Sequence, residues 1–206
     1  MLNAHDIYEL HQVTGILAGG LDRGAQTVLG VPLEVAQTLA EAREQMRSLP
    51  GVIDNLNESF ERFLTVSTAL KRMIELADAA SVEMGEEERE GLEEEFVNLA
   101  KIVAADAGRQ YYAGPALSLK TQGHAWAAAK IIRYMEPVMA NVEKELAEQK
   151  DLIYEVVTET VNFLNVVAEC YPESEGIGHL GQLIDSASKY CPVPLAPAVG
   201  PAGALH

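Results

Sequence analysis

IDNLNESFERFLTVSTALKRMIELA, residues 53–77, decides the reading of the fold. Ile53, Leu56, Phe60, Phe63, Ser67, Leu70, Ile74 and Ala77 recur in alternating steps of three and four. That spacing puts them on one stripe of an α-helix, sustained for more than three heptads. Ser67 is the polar member of the stripe, and its hydroxyl is expected to bond back to its own helix. At about 1.5 Å per residue, a helix from Val52 to about Val82 is a rod of roughly 45 Å.

A second stripe repeats the pattern. Ile132, Met135, Met139, Val142, Leu146, Gln149, Ile153, Val156, Thr160, Phe163 and Val167 hold the same alternation, and Ala125 and Ala128 extend it backwards. From about Gly123 to Glu169 this predicts a rod of roughly 70 Å. Pro137 lies within it and marks either a kink or a fresh helix start. Gln149 and Thr160 are the polar seam positions. Two such stripes predict an all-α fold, an elongated antiparallel bundle of heptad-patterned helices.

Outward from the seams the chain is punctuated by glycine and proline. Ile7, Leu10, Val13 and Leu17 predict a short helix over residues 4–18, ended by Gly19-Gly20. Pro32 opens a helix running to about Arg47, and Pro50-Gly51 is expected to break or kink the chain. After Gly85 a run of glutamates crowds a helix start, where carboxylates complement the macrodipole. Leu92, Phe96, Leu99 and Val103 are the buried stripe of that helix. A short hairpin or extended turn is expected at residues 111–119, among Tyr111, Tyr112, Leu117 and Leu119. Tyr171-Pro172 stops the second rod, Leu180, Leu183, Ile184 and Ala187 predict a short final helix, and a proline-rich tail follows from Pro192. The chain divides on this reading into residues 1–31, a helical core at 32–170, and 171–206.

A formal charge of −16 over 206 residues disfavours nucleic acid and anionic lipid as partners. No apolar run of about 18 residues predicts a membrane span. The first twelve residues lack the basic flank and apolar stretch of a cleaved leader. Cys170 and Cys191 have no metal-ligand spacing and read as buried free thiols, with a bridge between them as the second reading.

Catalytic patterns are missing from the sequence. It has no phosphate-binding glycine loop, no nucleophile elbow, no zinc-hydrolase pair of histidines and no paired Glu-x-x-His motifs. Consecutive glutamates on a helix point around the cylinder and do not converge on one ion. Neither a metal nor a cofactor is expected, and no residue is assigned a catalytic role. Trp126, beside His124, reads as a core or interface anchor. The expected partners are proteins, reached through helix faces.

Several segments, taken in order, resemble bacterial flagellins. Met46-Arg47-Ser48-Leu49 with Asn55 and Asn57-Glu58-Ser59 is similar to the opening of the long flagellin helix. Leu70-Lys71-Arg72-Met73-Ile74-Glu75-Leu76-Ala77 resembles the stretch where an Arg is followed by Glu-Leu-Ala. Glu88-Arg89, Leu92, Glu95-Phe96, Leu99 and Ile102 match the start and apolar spacing of the next helix. Tyr112-Ala113-Gly114 with Leu117 stands where the family has Phe-Asn-Gly and a Leu, and Val161-Asn162-Phe163-Leu164-Asn165 resembles its last core helix.

The resemblance covers residues 33–169 and implies a structural role. The chain would pack as a filament or hook–filament junction component of the bacterial flagellum, exported without a cleaved leader. The other reading is a soluble bundle acting as adaptor or secretion chaperone, in the cytoplasm. In flagellins the Arg of the Arg-x-x-Glu-Leu stretch and a nearby Leu face an innate immune receptor. Arg72 and Leu76 match these as partner contacts, although Ile74 replaces the second basic residue. The helix through residues 53–74 is about one heptad shorter than the family's, a deletion that keeps the same face. Cys170, Cys191 and Trp126 are also unusual for it.

Overall fold

The computed structural model describes residues 2–24, 30–106, 117–174 and 177–190. The helices in order are α1 (Ala4–Gly24), α2 (Leu33–Ala80), α3 (Glu86–Asp106), α4 (Gln122–Arg133), α5 (Glu136–Cys170) and α6 (Ile177–Ala187), with a 3-10 turn at Ser188–Tyr190. No strand occurs among the described residues, and the fold is all-α. Residues 111–116 of the expected hairpin lie outside the described residues, as do Cys191 and the proline-rich tail. Residues 117–119 are neither helix nor strand. Cys170 is exposed rather than buried.

Two expected helix breaks do not occur. Pro50 sits inside α2, a continuous helix of 48 residues. Its missing N–H and its ring cost about 3 kcal/mol in a helix interior. Packing offsets that cost. Leu39, Ala42, Met46, Leu49, Ile53, Leu56 and Phe60 are all buried and keep the three–four alternation straight across the proline. Burying a Leu, Ile or Met side chain is worth about 1.5–3 kcal/mol each. Gly19-Gly20 likewise falls inside α1. A Cβ at Gly20 would lie 2.3 Å from Leu183 Cδ1, so this glycine lets α6 approach α1 closely.

The chain forms two compact units, Glu58–Leu146 and Leu2–Asn57 with Ala147–His206. In the second unit the buried faces are Leu10, Leu17 and Leu21 of α1, the α2 stripe as far as Leu56, Val157 and Leu164 of α5, and Leu180 and Ala187 of α6. Polar contacts accompany them. Arg47 pairs with Asp22 at 2.7 Å, and the Tyr154 hydroxyl donates to Asp6 O at 3.4 Å.

The α5 seam has the predicted period and a different second position. Leu146, Ile153, Thr160 and Val167 are buried as expected. Between them the buried residues are Val157 and Leu164, not Val156 and Phe163, and Lys150 is half-buried beside Gln149. Val156 and Phe163 sit at the half-buried flank and Gln149 is exposed. Apolar side chains occur at both alternatives, so spacing alone does not choose between them. Thr160 bonds back to its own helix, donating to Val156 O at 2.9 Å, whereas the back-bond expected of Ser67 does not form among the described residues.

In the unit Glu58–Leu146, the stripe of α2 keeps its seven-residue repeat but shifts register. Val66, Ala69, Leu70, Met73, Leu76, Ala77 and Ala80 are buried, so the inward positions lie one residue N-terminal to Ser67 and Ile74, with Leu70 and Ala77 kept. Three inward positions per heptad make the wider stripe of a core-facing helix. Phe63 and Ile74 consequently fall to the flank, half-buried. Phe96 and Val103 of α3, Leu119, and Ala125, Ala128, Ala129 and Ile132 of α4 complete this core.

Pro137 begins a fresh helix. Tyr134 and Met135 turn between α4 and α5, and proline in a first helical turn withholds no needed donor. The α4 start is capped by Thr121, whose hydroxyl accepts from His124 N at 3.1 Å.

Candidate functional site

The side chains of α3 reach across the unit Glu58–Leu146 and fix the segment before α4. Arg89 donates through Nη1 to Ala80 O at 2.6 Å and to Leu119 O at 3.3 Å, and through Nη2 to Val82 O at 3.2 Å. The carbonyls at the α2 C-terminus are among those a helix cannot satisfy internally. One turn along α3, the Glu93 carboxylate accepts from Ser118 Oγ at 3.1 Å and from Leu119 N. Gln122 Nε2 donates to Ser81 O at 2.7 Å. These contacts pin residues 117–122 to α2 and α3. The sequence carried a signal in the i, i+4 pair Arg89 and Glu93, but its targets are backbone groups that no spacing specifies.

Arg72 is exposed and forked onto Glu95, at 2.7 and 3.1 Å, with Glu75 at 3.0 Å. The hydrogen bond from Arg72, with its charge, holds the Glu95 carboxyl below the ordinary carboxylate value, and the two glutamates raise the Arg72 guanidinium. Leu76, matched to Arg72 as a partner contact, is 2% exposed inside the core. It is therefore closed to a partner, because the shifted stripe of α2 turns it inward.

The other seam residues do not meet one fate. Ile53, Leu56, Phe60, Leu70, Ile132, Leu146 and Ile153 are buried, whereas Met135, Met139 and Val142 are half-buried with Phe63 and Ile74. Phe63, Ser67, Leu70, Ile74, Ile132 and Met139 line an open groove of about 270 Å³ between α2 and the α4–α5 turn, with Lys71, Glu136 and Glu143 also at its walls. The groove is apolar at its floor and charged at its edges, the pattern of a protein-packing surface.

A second surface lies on α4. Trp126 is 62% exposed and Tyr134 71% exposed. Lys130 stands over the Trp126 ring at 5.2 Å from its centroid. Arg133 shares this face and pairs with Asp78 at 2.5 Å. Trp126 is thus no core anchor. The signal was legible: Ala125, Ala128, Ala129 and Ile132 form the inward stripe, and Trp126 falls off it.

Among the described residues no group of three His, Cys, Asp or Glu side chains converges as a metal cage would require. The glutamates of α3 diverge instead: Glu93 turns to Leu119 and Glu95 to Arg72. No described helix is long and apolar enough to cross a membrane. No family model matches the chain, and no curated protein or solved structure matches it either.

Proposed function

We propose that this protein is a structural subunit of the flagellin type, which packs against other subunits through helix faces and turns over no substrate. The observation that carries the reading is the partly open seam in residues 58–146. Phe63, Ile74 and Met139 leave apolar surface at a groove whose floor is already built. Half-buried apolar side chains on rigid helices bury further area against a neighbour at little ordering cost. The segments that resemble flagellins also support it. Those at 46–59 and 70–77 lie on α2, that at 88–102 on α3 and that at 161–165 on α5, in the helical settings the resemblance implies. In this role the protein works in the bacterial flagellum, outside the cell. Its acidic surface keeps it off nucleic acid and anionic lipid.

Light scattering of the purified full-length chain across concentration, with and without a precipitating salt, tests the proposal. Long particles growing from a small soluble species support it. A fixed monomer or dimer under every condition rules it out and favours an adaptor or secretion chaperone.

A further inference from the structure

The face of α4 exposes what a folded surface ordinarily covers. Trp126, Lys130, Arg133 and Tyr134 share one side of the helix, at steps of four, three and one. Two large aromatics and an arginine are the residue types that dominate interface energetics. Trp126 is the single tryptophan of the chain. Lys130 is exposed, and no carboxylate of the described residues pairs with it. The patch is thus cationic and aromatic on a chain of charge −16.

The complement is present on the same unit. Glu87, Glu90 and Glu94 recur at steps of three and four along α3. All are exposed, and none has an ion-pair partner among the described residues. At about 1.5 Å per residue this stripe is roughly 10 Å long, against roughly 12 Å from Trp126 to Tyr134. Gly91 lies beside it, and a Cβ there would meet nothing within 4 Å, so a large ring has room to approach.

We infer that the Trp126–Lys130–Tyr134 face of α4 docks the Glu87–Glu90–Glu94 face of α3 on a second copy of this chain. The contact rests on the self-packing reading and adds two surfaces to the groove that carries it. The two faces differ, so the interface is heterologous. Each copy that joins presents an unused face of both kinds, and the contact repeats without closing unless its rotation closes a ring. Lys130 gains carboxylates that no described residue of its own chain supplies, while Trp126 and Tyr134 lose water.

The single tryptophan makes the test direct. Emission of Trp126 and its quenching by acrylamide are followed in the full-length protein alongside light scattering, as concentration or salt is raised. The expected result is a blue shift and several-fold weaker quenching that appear together with the scattering. Scattering that rises while Trp126 stays fully quenchable overturns the inference and leaves the self-packing reading standing. Absence of both changes under every condition overturns both. Charge reversal then tests the partner face. Lys130→Glu is expected to raise the concentration needed for assembly about tenfold at low ionic strength, and adding Glu90→Lys to restore it. Failure of that restoration, with both variants folded by circular dichroism, removes α3 as the partner.

Discussion

Replacing Arg89 with alanine should destabilise residues 58–146 by about 2–4 kcal/mol. The figure follows from three carbonyls. Ala80 is fully buried, and its oxygen receives the 2.6 Å bond from Arg89 at the end of α2. Losing a charged donor to a buried acceptor costs about 1.5–3 kcal/mol. The bonds to Val82 O at 3.2 Å and Leu119 O at 3.3 Å are longer, and together add about 1 kcal/mol. Arg89→Lys keeps the charge but not the fork, so it should recover about half of the loss. Urea unfolding gives the total. Because two compact units need not unfold as one, amide exchange within residues 58–106 and 117–146 gives the local value. Glu93→Gln should couple to the Arg89 change, since both side chains hold Leu119. A loss under about 0.5 kcal/mol, or one spread equally over residues 147–174, would refute the reasoning.

Further outcomes are expected elsewhere in the chain. Gly20→Val should destabilise by about 1–3 kcal/mol, since its Cβ meets Leu183 at 2.3 Å, whereas Gly19→Ala, with nothing within 4 Å, should stabilise by about 0.5–1 kcal/mol; thermal melts separate them. Leu164→Ala should cost about 2–5 kcal/mol and Phe163→Ala clearly less, because Leu164 is fully buried and Phe163 half-buried; the reverse order in urea titrations would return the α5 seam to its sequence-based position. The Arg72–Glu95 pair stabilises the fold above the ordinary carboxylate range. That contribution is lost as pH falls through the depressed Glu95 value, so Glu95→Gln should lower stability slightly at neutral pH, leave it unchanged at low pH and thereby flatten the acid limb of a stability–pH curve. An unaltered acid limb counts against the pairing.

Much of the fold was legible because heptad spacing is a geometric property of the chain. The stripe from Ile53 to Phe60 and the sites Leu146, Ile153 and Val167 needed only counting. Breaks were less legible, because Pro50 and Gly19-Gly20 are local signals and packing decides against them. Met46 and Leu49 carry α2 through its proline, and Leu183 turns Gly20 from a stop into a contact. The second seam position of α5 was ambiguous because Val156 and Val157, like Phe163 and Leu164, are apolar neighbours. Leu76 shows how a matched motif misleads: the family pattern places a partner contact where the register of α2 places core. The surface on α4 was readable from the alanine stripe, whereas the grip of Arg89 on backbone carbonyls was not, because it depends on where three separate segments end.

The way the two compact units are threaded also sets an order in time. Residues 58–146 are contiguous, so everything that unit needs leaves the ribosome before residue 147. The other unit joins residues 2–57 to residues 147 onward, and the bond between Tyr154 and Asp6 bridges 148 positions. Its α1 can meet α2 early, through Asp22 and Arg47, but the cover over Leu10, Leu17 and Leu21 is complete only when α5 and α6 exist. A prefolded insert shortens that wait, because it replaces a long flexible loop with a compact body and lowers the entropy lost on closure. Synthesis halted before residue 147 would therefore leave a nascent chain whose middle is folded and whose beginning is adhesive.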